Sequence, residues 1–366
     1  MSKVLTTEQR EQAGSDSYNR FEYQVHWIVC HIIGKLQENT ECIVFCEFHD
    51  DMAEFSPSNQ HYQFFQIKTK EDSSDWTIAE MSKREKKKTG GYKKSFLGFI
   101  FYNFLAFGAE CSHCHFVSNN DFDNDVLLWQ AYVEDGKSLQ TENVELYGKI
   151  KDRIKEEFSD DMPSNFDSVF EEFIQNTFVH KSELQLTTYE SQAMGMFFNH
   201  LADKNIPSNT ANLIFQQLLN DVRKKSKEKV KVPISMKRLV EKKGVDVTQV
   251  GKKIENNIKN SGNYVAFRNY LFSQSLSDKD VNRIIAAKTL HDARWLDVND
   301  VKYQEIVVIL RKVLSTYCKS CEMNGVSDKL NNLCIQELRN RSLISDSLDK
   351  SLVEVLFYEY KFSRKV

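Results

Sequence analysis

Apolar residues at positions 21, 25, 28, 29, 32, 33 and 36 recur at the spacing of one face of a helix, which predicts a helix through residues 18–36. Residues 42–48 are β-branched, aromatic or small apolar apart from Glu47, and residues 62–70 have strong β-formers at their centre, so both read as strands. Between them His49-Asp50 marks a turn, Asp51 opens a short strand through Met52 and Phe55, and Ser56-Pro57-Ser58-Asn59-Gln60 makes the next turn. Residues 96–107 read as a core helix and residues 116–119 as a buried strand. Residues 143–180 carry an acidic helical pattern broken around Met162-Pro163-Ser164, and residues 184–189 are expected to form a last strand. From about residue 206 onward the pattern is almost entirely helical. Its amphipathic stretches, such as Val301, Ile306, Val307, Leu310, Val313 and Leu314, suit interior packing or a partner surface.

Strand alternation turns this pattern into chemistry. Gln66, Lys68 and Lys70 share one face of their strand, while Phe65, Ile67 and Thr69 share the other. Three antiparallel strands then bring Asp51 beside Gln66 and Lys68. Carboxylates and a lysine on neighbouring strands are what metal-assisted phosphodiester hydrolysis needs, with oxygen ligands for a hydrated Mg²⁺ and a point charge beside the attacking water.

Helix, strand, turn, strand with Asp, then strand with Gln-x-Lys is the order found in the PD-(D/E)xK nuclease superfamily, and the chain resembles its restriction-endonuclease-like, Mrr-like branch. More narrowly, Tyr23-Gln24, Glu47 with Asp50-Asp51, Gln66-Ile67-Lys68-Thr69-Lys70 and Trp76-Thr77 resemble the nuclease domain catalogued as domain of unknown function 4297. That domain belongs to DNA endonucleases of bacterial antiphage operons, including effectors associated with cyclic-oligonucleotide synthases. The resemblance implies an α/β restriction-endonuclease-like (PD-(D/E)xK) domain over residues 1–205 and an all-α domain over residues 206–366. It also implies Asp51 as the principal metal ligand, Gln66 in a place usually held by a carboxylate, and Lys68 as the catalytic lysine. Glu47 and Asp50 complete the ligand and catalytic set around Mg²⁺, or Mn²⁺ in its stead, and Gln24 and Lys70 support it. A neutral amide at position 66 removes one negative charge and places more weight on Glu47 or Asp50. It also keeps alive a catalytically silent DNA-binding or assembly subunit with the same fold.

Each feature taken singly has an ordinary reading, since acidic turns are solvated and lysines on edge strands discourage aggregation. Their order and shared face favour the site. Lys83, Arg84, Lys86, Lys87, Lys88, Lys93 and Lys94 surround Thr89-Gly90-Gly91-Tyr92 soon after the Gln-x-Lys strand. Lys86, Lys87, Lys88, Lys93 and Lys94 are therefore candidate contacts to the DNA backbone, which position without specifying sequence. A second basic stretch, residues 223–243, reads as a solvated face or a weaker candidate of the same kind.

With 366 residues, 41% of them apolar, two domains with sizeable cores are expected, and a net charge of −3 provides no overall basic field. The opening Met-Ser-Lys-Val-Leu-Thr-Thr-Glu lacks a signal peptide's apolar core, and the most apolar run, residues 96–109, is interrupted by Asn103 and shorter than a membrane span. No membrane association and a cytoplasmic location are expected. Eight cysteines do not suggest a disulfide framework. In Cys111-x-x-Cys114 the two sulfurs should point to opposite faces of a strand, and Cys318-x-x-Cys321 lies too far along the chain for an ordinary zinc module. The helical second half does not resemble the mixed α/β sensor of synthase-linked relatives. It suits assembly as a homo-oligomer or with a HerA-type hexameric ATPase, the partner of other relatives.

Overall fold

The computed structural model describes residues 13–364 except 205, 207, 296–299, 321–325 and 344–347. The opening segment read above for a leader and Cys321 lie outside the described residues. The chain divides into two compact units, one made of Met1–Phe197 and Leu219–Val250, the other of Phe198–Leu218 and Gly251–Val366. The expected boundary at 205–206 falls within the second unit's segment Phe198–Leu218.

The first unit is built on a six-stranded sheet ordered β5-β4-β3-β2-β1-β6. Its strands are β1 (Ile43–Phe48), β2 (Asp50–Ser56), β3 (His61–Lys68), β4 (Cys111–Ser118), β5 (Thr177–Lys181) and β6 (Gly244–Asp246). β6, β1, β2 and β3 run antiparallel in turn, and β3, β4 and β5 run parallel. The first helix, α1 (Ala13–Gln37), lies against the sheet face that carries Glu54 and Phe65, through the His31–Glu54 ion pair and a Trp27–Phe65 ring contact. The opposite face carries Phe45, Ala53, Phe64, Cys114 and Phe116 into the main core. Around that core stand α2 (Ile78–Met81), α3 (Phe96–Phe107), α4 (Asn124–Glu134), α5 (Leu139–Glu142), α6 (Val144–Glu157) and α7 (Phe166–Gln175). α8 (Tyr189–Leu201), α9 (Ser208–Lys227) and α10 (Met236–Lys243) follow in sequence.

Helix α3 positions the site. Ser95 caps it, its Oγ accepting from the Gly98 amide at 2.9 Å, and Glu157 accepts from both the Ser95 amide (2.9 Å) and hydroxyl (2.5 Å). A Cβ at Gly98 would run into the Glu157 carboxylate, so only glycine leaves this clamp intact.

Three expectations need correcting. The strand in this region is Thr177–Lys181, not residues 184–189, and the last strand is β6, inside the stretch 206–366 expected to be all helical; the alternation in Thr-Phe-Val-His-Lys is a strand's, and Leu184 instead anchors a turn whose carbonyl accepts from the Tyr23 hydroxyl at 3.0 Å. Cys111 and Cys114 do not diverge, because the β3–β4 register shifts at Tyr62/Gln63 and takes Ser112 out of step. Their sulfurs lie 3.7 Å apart in the core.

The second unit contains only helices among its described residues. α11 (Val247–Ser273), α12 (Asp278–Trp295), α13 (Val301–Ser320), α14 (Asp328–Asn340) and α15 (Lys350–Phe362) follow one another. Leu271, Val281, Val307, Leu310, Leu330, Leu338, Val353 and Leu356 form its core.

Candidate metal and DNA site

The hairpin between β1 and β2 turns within a few residues, with Cys46 opposite Met52 and Phe48 opposite Asp50. Glu47 (φ 51°) and His49 (φ 64°) take the left-handed conformation that residues with a Cβ rarely adopt. This strained apex and the end of β3, beneath α3, line a cavity of about 350 Å³ with Glu47, His49, Asp50, Asp51, Gln66, Lys68, Phe96 and Phe99.

Lys68 Nζ donates to Asp51 Oδ2 at 2.7 Å, and the same oxygen accepts from the Ile67 amide at 2.7 Å. Asp50 accepts from the Asp51 amide (3.0 Å) and from Asn103 Nδ2 on α3 (3.2 Å). Gln24 on α1 reaches through to donate to the Ile67 carbonyl at 2.9 Å, fixing β3 from the other face. Burial, with Asp51 nearby, raises the Glu47 carboxyl to about 7 against the pull of Lys243 and Lys68. Burial and Asp51 also raise Asp50 well above the carboxylate range, despite Lys68 and the hydrogen bonds it accepts. Burial works against the Lys68 ammonium, but Asp51, Asp50 and Glu47 outweigh it and raise its pKa.

One acceptor is left over. Gln66 is buried, yet its Oε1 has no hydrogen-bond partner, which costs a buried acceptor about 1–3 kcal/mol. A cation in the cavity would satisfy it, and the oxygen donors around it are the type a hard divalent ion prefers. Asp51 and Gln66 stand with Lys68 where the strand pattern put them, and Glu47 and Asp50, which the resemblance implied, line the same cavity. The carboxylates are not drawn into the tightest grouping possible: among the described residues, a trio of ligand atoms within 4.8 Å of one another occurs at His291, Asp292 and Glu359 in the second unit. In the first unit the Lys68 ammonium sits on Asp51 instead.

Lys70 leaves the cavity. β3 ends at Lys68, and the Lys70 ammonium turns to Glu80 (2.8 Å), the Asp75 carbonyl (2.9 Å) and the Trp76 ring (4.3 Å to its centroid). The basic segment forms a small hairpin with Lys86 opposite Tyr92 and with Gly90 (φ 89°) and Gly91 (φ 74°) at its tip. Lys86, Lys87 and Lys88 are exposed there. Lys93 pairs with Glu85 at 2.8 Å, and Lys94 lies over the Phe158 ring at 3.9 Å. The second basic stretch is largely exposed, with Lys224, Lys227, Lys229, Lys231, Lys237 and Arg238 at the surface, but three of its cations are engaged internally. Arg223 holds the buried Glu22, while buried Lys225 donates to the Gly244 and Val240 carbonyls and buried Lys243 to the Ser226 carbonyl. Sequence reading missed Asn103 as the partner of Asp50, although it was visible as the polar break in an apolar run. Lys243 near Glu47 and the aromatic wall of Phe96 and Phe99 carried no comparable signal.

Over residues 12–226, well over half of the chain, the sequence matches the family described as "Cap4, dsDNA endonuclease domain". The chain belongs to this family. The match ends before α10 and β6, so the family span supplies every cavity residue named above, while Lys243 comes from beyond it. Among solved structures the chain is similar to one titled "Structure of Moraxella osloensis Cap4 SAVED/CARF-domain containing receptor", at 15% identity and a TM-score of 0.34. That likeness covers 56% of this chain and 43% of the receptor, so the chain spans less than half of the receptor's length. No curated protein matches.

Proposed function

We propose that the protein is a metal-dependent endonuclease that cuts duplex DNA as an effector of bacterial antiphage defence. Membership of a dsDNA endonuclease family supports the substrate and reaction class. The observation that carries the chemistry is the buried, unpartnered Gln66 Oε1 facing a cavity of carboxylates and one lysine, the donor set of a PD-(D/E)xK nuclease. Asp51 and Gln66, with Asp50 and Glu47, would hold Mg²⁺ or Mn²⁺. When bound, such an ion polarises a phosphoryl oxygen and lowers the pKa of its water.

The chain's own groups supply the rest. Lys68 Nζ, 2.7 Å from Asp51 in this structure, would donate to the oxygen of the attacking water or to the charge developing on the phosphoryl oxygens. Glu47, where Asp51, Asp50 and Gln66 hold the ion, would take the water's proton on a carboxylate oxygen. Asn103 and the Asp51 amide keep Asp50 oriented, and Gln24 keeps β3 in place. The exposed lysines of the 83–94 hairpin contact the phosphate backbone and give binding its salt dependence. A helical second unit supports regulation by assembly, as a homo-oligomer or with a HerA-type ATPase. Among the described residues no helix is long and apolar enough to cross a membrane.

The test is plasmid cleavage with Mg²⁺ and with EDTA, together with DNA binding, for the parent and Asp51→Ala. The proposal expects EDTA-sensitive cutting that falls at least about a thousandfold in the variant while binding persists. DNA binding by a parent that cuts under no condition would instead identify a silent subunit.

A further inference from the structure

Helix α3 roofs the cavity and has no charged residue in its twelve. Leu97, Ile100, Phe101 and Phe104 account for the buried side. Its open side carries Phe99, 43% exposed, and one turn on Tyr102, 44% exposed, where a surface helix ordinarily shows charges. Phe99 lines the same cavity as Asp51, Gln66 and Lys68. Cations flank this aromatic strip: Lys68 Nζ lies 5.4 Å from the centroid of Phe96 and Lys94 Nζ 5.3 Å from that of Tyr102. The exposed lysines of the 83–94 hairpin stand just before α3 in the chain.

Aromatic faces beside cations that attract phosphate are the combination with which proteins stack bases, and apolar wedges inserted between base steps unstack and kink a duplex. On the endonuclease reading above, we propose that Phe99 is such a wedge. Its ring packs against the base next to the phosphate held at Lys68, and Tyr102 extends the platform along α3. The substrate is then a duplex opened at the point of cutting, and cleavage is fastest where stacking is weakest. The ring makes no bond to the reacting atoms; it positions the strand.

Phe99→Ala, Phe99→Trp and Tyr102→Ala should be compared with the parent and Asp51→Ala, using Mg²⁺, on a paired duplex and on the same duplex with a mismatch at the mapped cut. Phe99→Ala should lose about tenfold in kcat on the paired duplex, with KM little changed, and regain most of it on the mismatched one. Phe99→Trp should stay near the parent, and Tyr102→Ala should lose less. Equal loss on both substrates, or no loss, would overturn the wedge while leaving the nuclease standing. If the parent shows no cutting that Asp51→Ala abolishes, the nuclease reading fails and the wedge with it.

Discussion

Lys68 in the first unit and Lys288 in the second each sit among carboxylates, and the two clusters are resolved in opposite ways. In the second unit Lys288 donates to Glu359 at 2.5 Å and lies 3.0 Å from Asp292, with Arg311 3.5 Å from Glu359, so two cations meet two carboxylates. Tyr264 and Phe267 close over Lys288, and His291 is held by the Tyr303 hydroxyl at 2.8 Å. His291, Asp292 and Glu359 resemble a metal trio, but the Lys288 ammonium already occupies the cation's place. In the first unit Lys68 faces Asp51, Asp50 and Glu47, two of them with raised pKa values, beside an amide oxygen with no partner. A balanced buried network serves the fold. On the function proposed above, the unbalanced one takes a further cation.

The largest effect separating the two concerns stability. Lys288→Met leaves Asp292 and Glu359 without their buried ammonium and should cost about 3 kcal/mol, read as a lower denaturant midpoint, because breaking one side of a buried pair strands the other charge. Cleavage per folded molecule should be unchanged. A Lys288→Met protein as stable as the parent would end the claim that this cluster is structural.

Next in size is Gln66→Glu, which restores the charge that the amide lacks. The Mg²⁺ concentration for half-maximal cutting should fall about tenfold, a gain of about 1.4 kcal/mol in metal binding. An unchanged requirement would place the ion away from position 66.

How much of this was legible in the sequence follows the range of the interactions. The antiparallel strands 43–68, helix 96–107 and the gathering of Asp51, Gln66 and Lys68 follow from local periodicity, since alternation fixes which side chains share a face. β6 was not legible, because its three residues form a strand only by pairing with β1 about two hundred positions away. The Cys111–Cys114 contact depends on a register shift that no local pattern announces. Lys225 and Lys243 looked like surface charge because nothing nearby reveals that their ammonium groups are spent on backbone carbonyls. Lys70 was misplaced by the same alternation that placed Lys68, since the strand stops between them.

The smallest effect lies on the α1 face of the sheet. His115 stacks on Phe65 and bonds His180 (2.9 Å) and Gln63 (3.0 Å), and burial, with His180, His113, His31 and Lys35, holds its pKa well below the ordinary value. A histidine depressed in the folded state contributes stability that is present above its unfolded pKa of about 6.5 and is lost as pH falls below it. Between about pH 7.5 and about pH 5.5 the parent should therefore lose about 1 kcal/mol more than His115→Gln in denaturant unfolding. Parallel losses would show that His115 is not kept neutral by the fold.

The central claim is that the unbalanced cluster, and not the balanced one, performs metal-dependent hydrolysis. Plasmid cleavage by the parent and by a folded Lys68→Ala protein, each with Mg²⁺ and with EDTA, tests it most directly. The account predicts cutting by the parent with Mg²⁺ alone and almost none by the variant. Cutting by Lys68→Ala at the parent's rate, or cutting that persists in EDTA, would contradict it.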